Sequence, residues 1–184
     1  MRIISGTAKG TKLETLEGEN TRPTLDRVKE ALFSIIQNDL IEANILDLFA
    51  GSGALGLESL SRGADKVTFC DKEYKAIKII KQNIIKTKFE NQSKIINKDY
   101  VKCLEELKNE KFDIVFLDPP YKKGLVKNAV EKIIEFDMLT DNGIVIIETD
   151  EEKTILEQLE SINANVYDLR KYGRVKLIFL NRKG

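Results

Sequence analysis

One apolar run of the sequence, Asp113-Ile114-Val115-Phe116-Leu117, ends in Asp118-Pro119-Pro120-Tyr121. Two prolines fix φ and donate no N–H, so this segment reads as a stiff loop leaving a strand. Stiffness is what a positioned pair of hydrogen-bond acceptors needs. The Asp118 carboxylate and the Pro119 carbonyl suit the two hydrogens of an amino group on a nucleic-acid base. Such an amine is a poor nucleophile because its lone pair is delocalised into the ring. Two fixed acceptors favour a pyramidal nitrogen and stabilise the positive charge that grows on it during alkylation. Tyr121 offers a face on which an extruded base stacks, and Pro120 lies beside it as a substrate contact. Asp118, Pro119 and Tyr121 are the candidate catalytic residues.

A second constellation precedes it. Asp47-Leu48-Phe49-Ala50-Gly51-Ser52-Gly53-Ala54-Leu55-Gly56 follows an apolar strand and opens a helix. Glycines there let the backbone turn sharply and approach a ligand at the carboxyl end of a sheet. Asp71 ends the next strand, 20 residues after Gly51, where a carboxylate accepts from the ribose hydroxyls of an adenosine cofactor. Asp99, after the third strand, is placed to accept from an adenine amino group. The glycine pattern alone also fits nicotinamide and flavin folds. Asp47 discriminates, because a carboxylate in the approach strand repels a pyrophosphate but stabilises the sulfonium and ammonium of S-adenosylmethionine. The alternative for Asp47 is a strand-end acid satisfied by neighbouring backbone amides. The expected cofactor residues are Asp47, Phe49, Ala50, Gly51, Ser52, Gly53, Asp71, Asp99 and Asp118.

The elements that must hold these residues follow from periodicity. Short apolar strands at 45–49, 66–70, 94–97, 113–117 and 143–148 alternate with helical stretches at 54–62, 74–87, 101–108, 125–136 and 151–161. Alternation of this kind implies right-handed crossovers and a parallel sheet covered on both faces. Segments 165–169 and 175–180 are joined by Lys171-Tyr172-Gly173 with no room for a helix, so the last strand runs antiparallel to a neighbour. Upstream, segments 2–5 and 11–16 read as a small hairpin. Thr24 reads as an N-cap, and apolar residues at helical spacing predict a helix over 25–38. The expected organisation is an N-terminal hairpin-and-helix extension over 1–40 and a catalytic domain over 41–184.

Composition narrows the chemistry. The 184 residues suit one domain, with 42% apolar and 33% charged residues and no histidine. Absence of histidine removes the commonest general base and metal ligand, and with two distant cysteines no metal site is expected. Few cysteines, no secretory leader and no membrane-length apolar stretch point to the cytoplasm. Net charge is zero, yet residues 1–12 and 168–184 are both basic and could meet phosphates.

The chain resembles the RsmD-type ribosomal RNA guanine-N2 methyltransferases of bacteria over almost its whole length. The resemblance lies in Met1-Arg2-Ile3-Ile4-Ser5-Gly6, Thr21-Arg22-Pro23-Thr24, Asp26-Arg27-Val28-Lys29-Glu30-Ala31-Leu32-Phe33, the run from 46 to 63, and Phe116-Leu117-Asp118-Pro119-Pro120-Tyr121. It implies a Rossmann-like, seven-stranded, mostly parallel α/β sheet with one antiparallel strand. It also implies S-adenosylmethionine as donor, and a guanine amino group in small-subunit ribosomal RNA, in an assembled or partly assembled subunit, as acceptor. Arg22, Thr24 and Arg27 become candidate substrate contacts; for the arginines the alternatives are capping and an Arg27–Glu30 ion pair. Rival readings are an adenine-N6 methyltransferase, a nicotinamide oxidoreductase and a non-catalytic RNA-binding module. The first lacks room for a target-recognition insert, and Asp47 and Asp118-Pro119-Pro120-Tyr121 count against the second. Binding of S-adenosylmethionine separates the third.

Overall fold

The computed structural model describes residues 1–16, 23–120, 124–162 and 164–181, with the backbone alone for 23–25. Seven strands form one sheet: β1 (Asn44–Asp47), β2 (Lys66–Cys70), β3 (Ser93–Ile96), β4 (Phe112–Leu117), β5 (Leu139–Thr149), β6 (Asn165–Tyr172) and β7 (Val175–Asn181). Their spatial order is β3-β2-β1-β4-β5-β7-β6. The chain moves outward from β1 through β2 to β3, then returns to place β4 on the other side of β1. Ligands of open α/β sheets sit at such a reversal, outside the carboxyl ends of the strands. β7 is antiparallel to both β5 and β6, so it alone runs against the others.

Six helices cover the faces: α1 (Pro23–Ile35), α2 (Ala54–Ser61), α3 (Tyr74–Thr87), α4 (Tyr100–Leu107), α5 (Leu125–Glu135) and α6 (Glu152–Glu160). Strand residues alternate between two cores because successive side chains point to opposite faces. Ile45, Ile114 and Phe116 join α1, α2 and α3 through Val28, Leu57 and Ile80. Leu46, Val115 and Leu117 join α4, α5 and α6 through Leu104, Ile133 and Leu159.

The N-terminal segment packs into the first of these cores through Ile3 and Leu13. Its hairpin is a single antiparallel bridge, Arg2 with Lys12, flanked by bonds from Ile3 N–H to Thr11 and from Leu13 N–H to Met1. What fastens it is Glu58, a fully buried acid on α2. The Glu58 carboxylate accepts from the Ile4 N–H at 2.8 Å, the Ser5 N–H at 3.0 Å and Arg62 Nε at 2.8 Å. Lys29 Nζ of α1 lies 3.3 Å away and donates to the Arg2 carbonyl at 2.6 Å. Burial lowers the Lys29 pKa, and Glu58 opposes that shift.

Three details depart from expectation. α1 begins at Pro23, so Thr24 lies in its first turn and is not the N-cap; proline, with φ preset and no N–H to lose, favours that first position. β5 starts at Leu139 rather than at 143, extending a strand with two exposed residues, Asp141 and Asn142, that apolar periodicity does not register. β6 runs to Tyr172, which pairs with Val175, so the turn is Gly173-Arg174 and not Lys171-Tyr172-Gly173. Gly173 takes φ 61°, the left-handed geometry a tight hairpin requires. Among the described residues no helix is long and apolar enough to cross a membrane.

Candidate active site

β1 delivers the glycine loop to the reversal point. Past Asp47, Leu48 N–H donates to Phe116 of β4 at 3.2 Å and Ala50 N–H to Cys70 of β2 at 2.9 Å, so the loop is stitched to both neighbours. Gly51 and Gly53 have φ 55° and 79°, conformations costly for other residues. Gly56, one turn into α2, lies against β2. A Cβ there would stand 2.3 Å from Phe69 Cε1, so only glycine lets the helix approach.

The loop is braced by acids. Asp71 Oδ2 accepts from Gly51 N–H at 2.9 Å, and Oδ1 from Glu73 N–H at 2.8 Å. Gly51 thus aims its amide at a carboxylate, which leaves it unsuited to cradle a pyrophosphate. Each carboxylate oxygen retains a second lone pair for a ligand hydroxyl. Asp47 is 3% exposed and accepts from Gly56 N–H at 3.1 Å, the backbone-amide contact of the alternative reading. Burial raises its pKa to about 7, against the Gly56 bond and helped by the nearby Asp71 charge. A cation brought near such an acid would draw it fully into its ionised form. Ser52 is buried, and its carbonyl accepts from Asn83 Nδ2 at 2.9 Å. Asn83 of α3 also bonds Glu14 in both directions, which couples the N-terminal segment to the loop.

This geometry makes a pH prediction. Asp47 titrates at about 7 in the folded chain and at the ordinary 3.8 when unfolded. Between those values the folded protein holds a proton the unfolded chain has lost, so stability falls as pH rises and levels off above about 7. Asp47→Asn keeps the Gly56 bond and removes this loss. The variant's Tm is expected to rise relative to the parent progressively from pH 4 to about 7 in the ligand-free protein. Parallel Tm profiles for the two proteins would rule Asp47 out as the source.

Asp99 caps α4, accepting from Val101 N–H at 3.0 Å, and remains exposed beside the β2 and β3 exits. Half-buried Phe49 packs against Tyr100 in a tilted pair with centroids 5.4 Å apart, and Tyr100 Oη donates to Asn128 Oδ1 at 3.0 Å. Asn97 Nδ2 donates to the carbonyls of Asp71 and Lys72, holding that turn. Asp118 and Pro120 are exposed and Pro119 half-buried, all lining a cleft with Glu148 and Thr149 of β5 and Val175 of β7. Tyr121 and Arg22 lie outside the described residues, as does the Thr24 side chain. Arg27 is exposed on α1. The Arg27–Glu30 pair does not form, and the α1 acid that does pair is Asp26, 3.9 Å from Arg2. No described group of three or more His, Cys, Asp or Glu residues is placed to hold a metal. Sequence reading missed Glu58, Asn83, Asn97 and Glu148. Only Glu58 had a local signal, an acid within the apolar helix ALGLESLS.

A seven-stranded sheet with β7 inserted antiparallel, a glycine loop after β1 and an acid after β2 define a Rossmann-like methyltransferase. The same architecture, at 14% identity and TM-score 0.74 over 100% of both chains, occurs in the precorrin-6y C5,15-methyltransferase of Geobacter metallireducens. The family model described as Conserved hypothetical protein 95 matches residues 1–181, and the chain belongs to that family, the RsmD family. The Haemophilus influenzae protein named ribosomal RNA small subunit methyltransferase D is 39% identical over 158 residues, 85% of this chain and 82% of its own. The solved Escherichia coli protein yhhF is 31% identical with TM-score 0.84, covering 100% of this chain and 98% of that one.

Proposed function

We propose that this methyltransferase transfers a methyl group from S-adenosylmethionine to the N2 amino group of a guanine in small-subunit ribosomal RNA, in the cytoplasm. The observation that carries the reading is one juxtaposition. The acid-braced glycine loop and the Asp118-Pro119-Pro120 exit leave adjacent strands, with Asp47 opposite Phe116, at the reversal point of the sheet. The bound cofactor supplies an electrophilic methyl on its sulfonium. Asp71 would accept from the ribose hydroxyls, Asp47 would offset the cationic portion, Phe49, Ala50, Gly51, Ser52 and Gly53 would line the cofactor, and Asp99 would accept from the adenine amino group. Asp118 and the Pro119 carbonyl hold the amine in line. As the amine takes up the methyl group its surplus proton would pass to the exposed Asp118 carboxylate and on to water. Tyr121 and Pro120 hold the extruded base.

Charge placement supports an RNA substrate. The Gly173-Arg174 turn lies at the carboxyl edge, because Lys176 pairs with Thr149 at the end of β5. Arg174 and Lys176 therefore flank the cleft, while Arg170 and Lys171 are neutralised by Asp168 and Glu152. Lys9, Lys12, Arg22 and Arg27 supply phosphate contacts on the N-terminal side. A zero net charge disfavours tight binding to arbitrary nucleic acid, which favours the shaped surface of an assembled or partly assembled small subunit as the partner.

Two measurements test the reading. Calorimetry is expected to show S-adenosylmethionine binding, weakened about tenfold or more by Asp71→Ala through loss of charge-assisted hydrogen bonds. Tight NADH binding with no response to S-adenosylmethionine would sink the cofactor assignment. With labelled S-adenosylmethionine, small subunits from cells lacking the enzyme are expected to yield N2-methylguanosine on digestion and to outcompete duplex DNA. Label in N6-methyladenine would overturn the substrate.

A further inference from the structure

The cleft beside Asp118 contains a second carboxylate that methyl transfer does not require. β4 and β5 pair in parallel with Leu117 opposite Ile147, so Asp118 and Glu148 occupy the next positions on neighbouring strands. Adjacent strands are about 4.8 Å apart, a separation that lets two acceptors address neighbouring atoms along one edge of a base. Both residues line the same cleft, whose remaining wall includes Pro119, Pro120 and Thr149. Burial raises the Glu148 pKa, and no hydrogen bond or neighbouring cation is among the causes that would offset it. Glu148 is half-buried, and a ligand N–H that it accepts from opposes the burial shift by stabilising its ionised form. Asp150 and Glu151 add negative charge at the rim. These acids disfavour a phosphate inside the cleft but not a neutral base, which leaves the backbone phosphates to Arg174 and Lys176 outside it.

We propose that Glu148 selects guanine by accepting a hydrogen bond from the ring N1–H adjacent to the amino group held by Asp118 and Pro119. The inference rests on the functional reading above and extends it to how the base is chosen. Adenine, cytosine and guanine all present an amino group to the two acceptors. They differ at the neighbouring ring nitrogen. In guanine it is N1–H, a donor; in adenine it is N1 and in cytosine N3, each a lone pair. An ionised carboxylate accepts only, so it bonds guanine and opposes the other two. Sites built to hydrogen-bond a substrate group reject analogues lacking it far more strongly than apolar pockets reject a changed shape, because the site's own polar group is left unpaired.

The test changes the hydrogen-bonding edge of the substrate base. Product mapping first locates the methylated guanosine in small subunits treated with the full-length enzyme. That nucleotide is then replaced by 2-aminopurine riboside, which keeps the N2 amine but lacks the 6-oxo group and carries a lone pair at N1, so the Glu148 variant assigns the effect to N1; subunits are reconstituted from the ligated RNA. The parent enzyme is expected to lose on the order of 10²-fold or more in kcat/KM on this substrate. Glu148→Gln, whose amide can donate as well as accept, is expected to lower the rate on guanine and to bring the two substrates within a few-fold of each other. Equal rates of the parent enzyme on guanine and 2-aminopurine would overturn the proposal without any variant. An unchanged guanine preference in a folded Glu148→Gln protein that still binds S-adenosylmethionine would overturn it as well. Failure of the parent enzyme to form N2-methylguanosine at all is a separate result. It removes the functional reading, and this inference falls with it.

Discussion

Asp118→Ala is expected to lower turnover by a factor on the order of 10² or more while leaving Tm and S-adenosylmethionine affinity close to those of the parent protein. The side chain is exposed, one residue beyond the buried end of β4, so its removal opens no core cavity. It lies in the cleft with Pro119, across the sheet edge from the loop that Asp71 braces. Its loss removes a charged acceptor that strengthens as positive charge grows on the amine, an interaction that differs between ground and transition states. Turnover is therefore affected more than binding. Asp118→Asn retains a carbonyl acceptor without the charge and is expected to fall between the two. Single-turnover rates with saturating cofactor, alongside calorimetry and thermal melts, make the separation. Full activity of the alanine variant would remove Asp118 from the mechanism.

Glu58→Ala is expected to cost about 3–5 kcal/mol of stability, because it leaves a buried cation without its counter-charge. Lys29 is 7% exposed and already has its pKa lowered by burial. Without Glu58 it is left with Arg62 nearby and only the weaker influence of Asp26, and the Ile4 and Ser5 amides lose their acceptor. For a chain of this length the loss corresponds to a fall in Tm on the order of 10 °C. Urea unfolding of Glu58→Ala, and of Lys29→Met combined with Glu58→Gln, distinguishes the cause. The double variant removes the stranded charge and is expected to recover part of the loss. A cost below about 1 kcal/mol for Glu58→Ala would mean that the cluster fails to fasten the N-terminal segment. Because α2 carries Glu58 and also starts at the glycine loop, a loosened N-terminus is expected to weaken cofactor binding too.

The two constellations were legible in the sequence for a definable reason. Asp47 through Gly56 and Asp118 through Tyr121 are contiguous runs whose chemistry is local: glycines permit a turn, prolines stiffen one, and an acid at a strand end faces whatever lies beyond the sheet. The alternation of short apolar runs with helical periodicity determined a parallel α/β sheet, and β2 and α3 have the bounds that periodicity predicts. The absence of histidine removed the commonest general base and pointed to carboxylates, backbone groups or a cofactor instead.

Tertiary structure alone decided which of these pieces meet. Periodicity encodes which face a residue presents and carries no information about which strand lies beside it. Nothing local shows that β4 returns to the flank of β1, or that β7 inserts between β5 and β6. Those two pairings bring Asp118 to the glycine loop, Glu148 to Asp118, and the basic Arg174 turn to the carboxyl edge. Glu58 reads locally as a misplaced charge on an apolar helix. It becomes a fastening point only when amides 53 and 54 residues away fold onto it. Asp47 likewise has an ordinary carboxylate pKa as a residue type and titrates near 7 only once β1 is buried and Gly56 and Asp71 surround it. Residue types determined what the chemistry could be. The long-range strand pairing decided where it happens, because hydrogen-bond partners and desolvation arise between segments distant in sequence and leave no mark on either one alone.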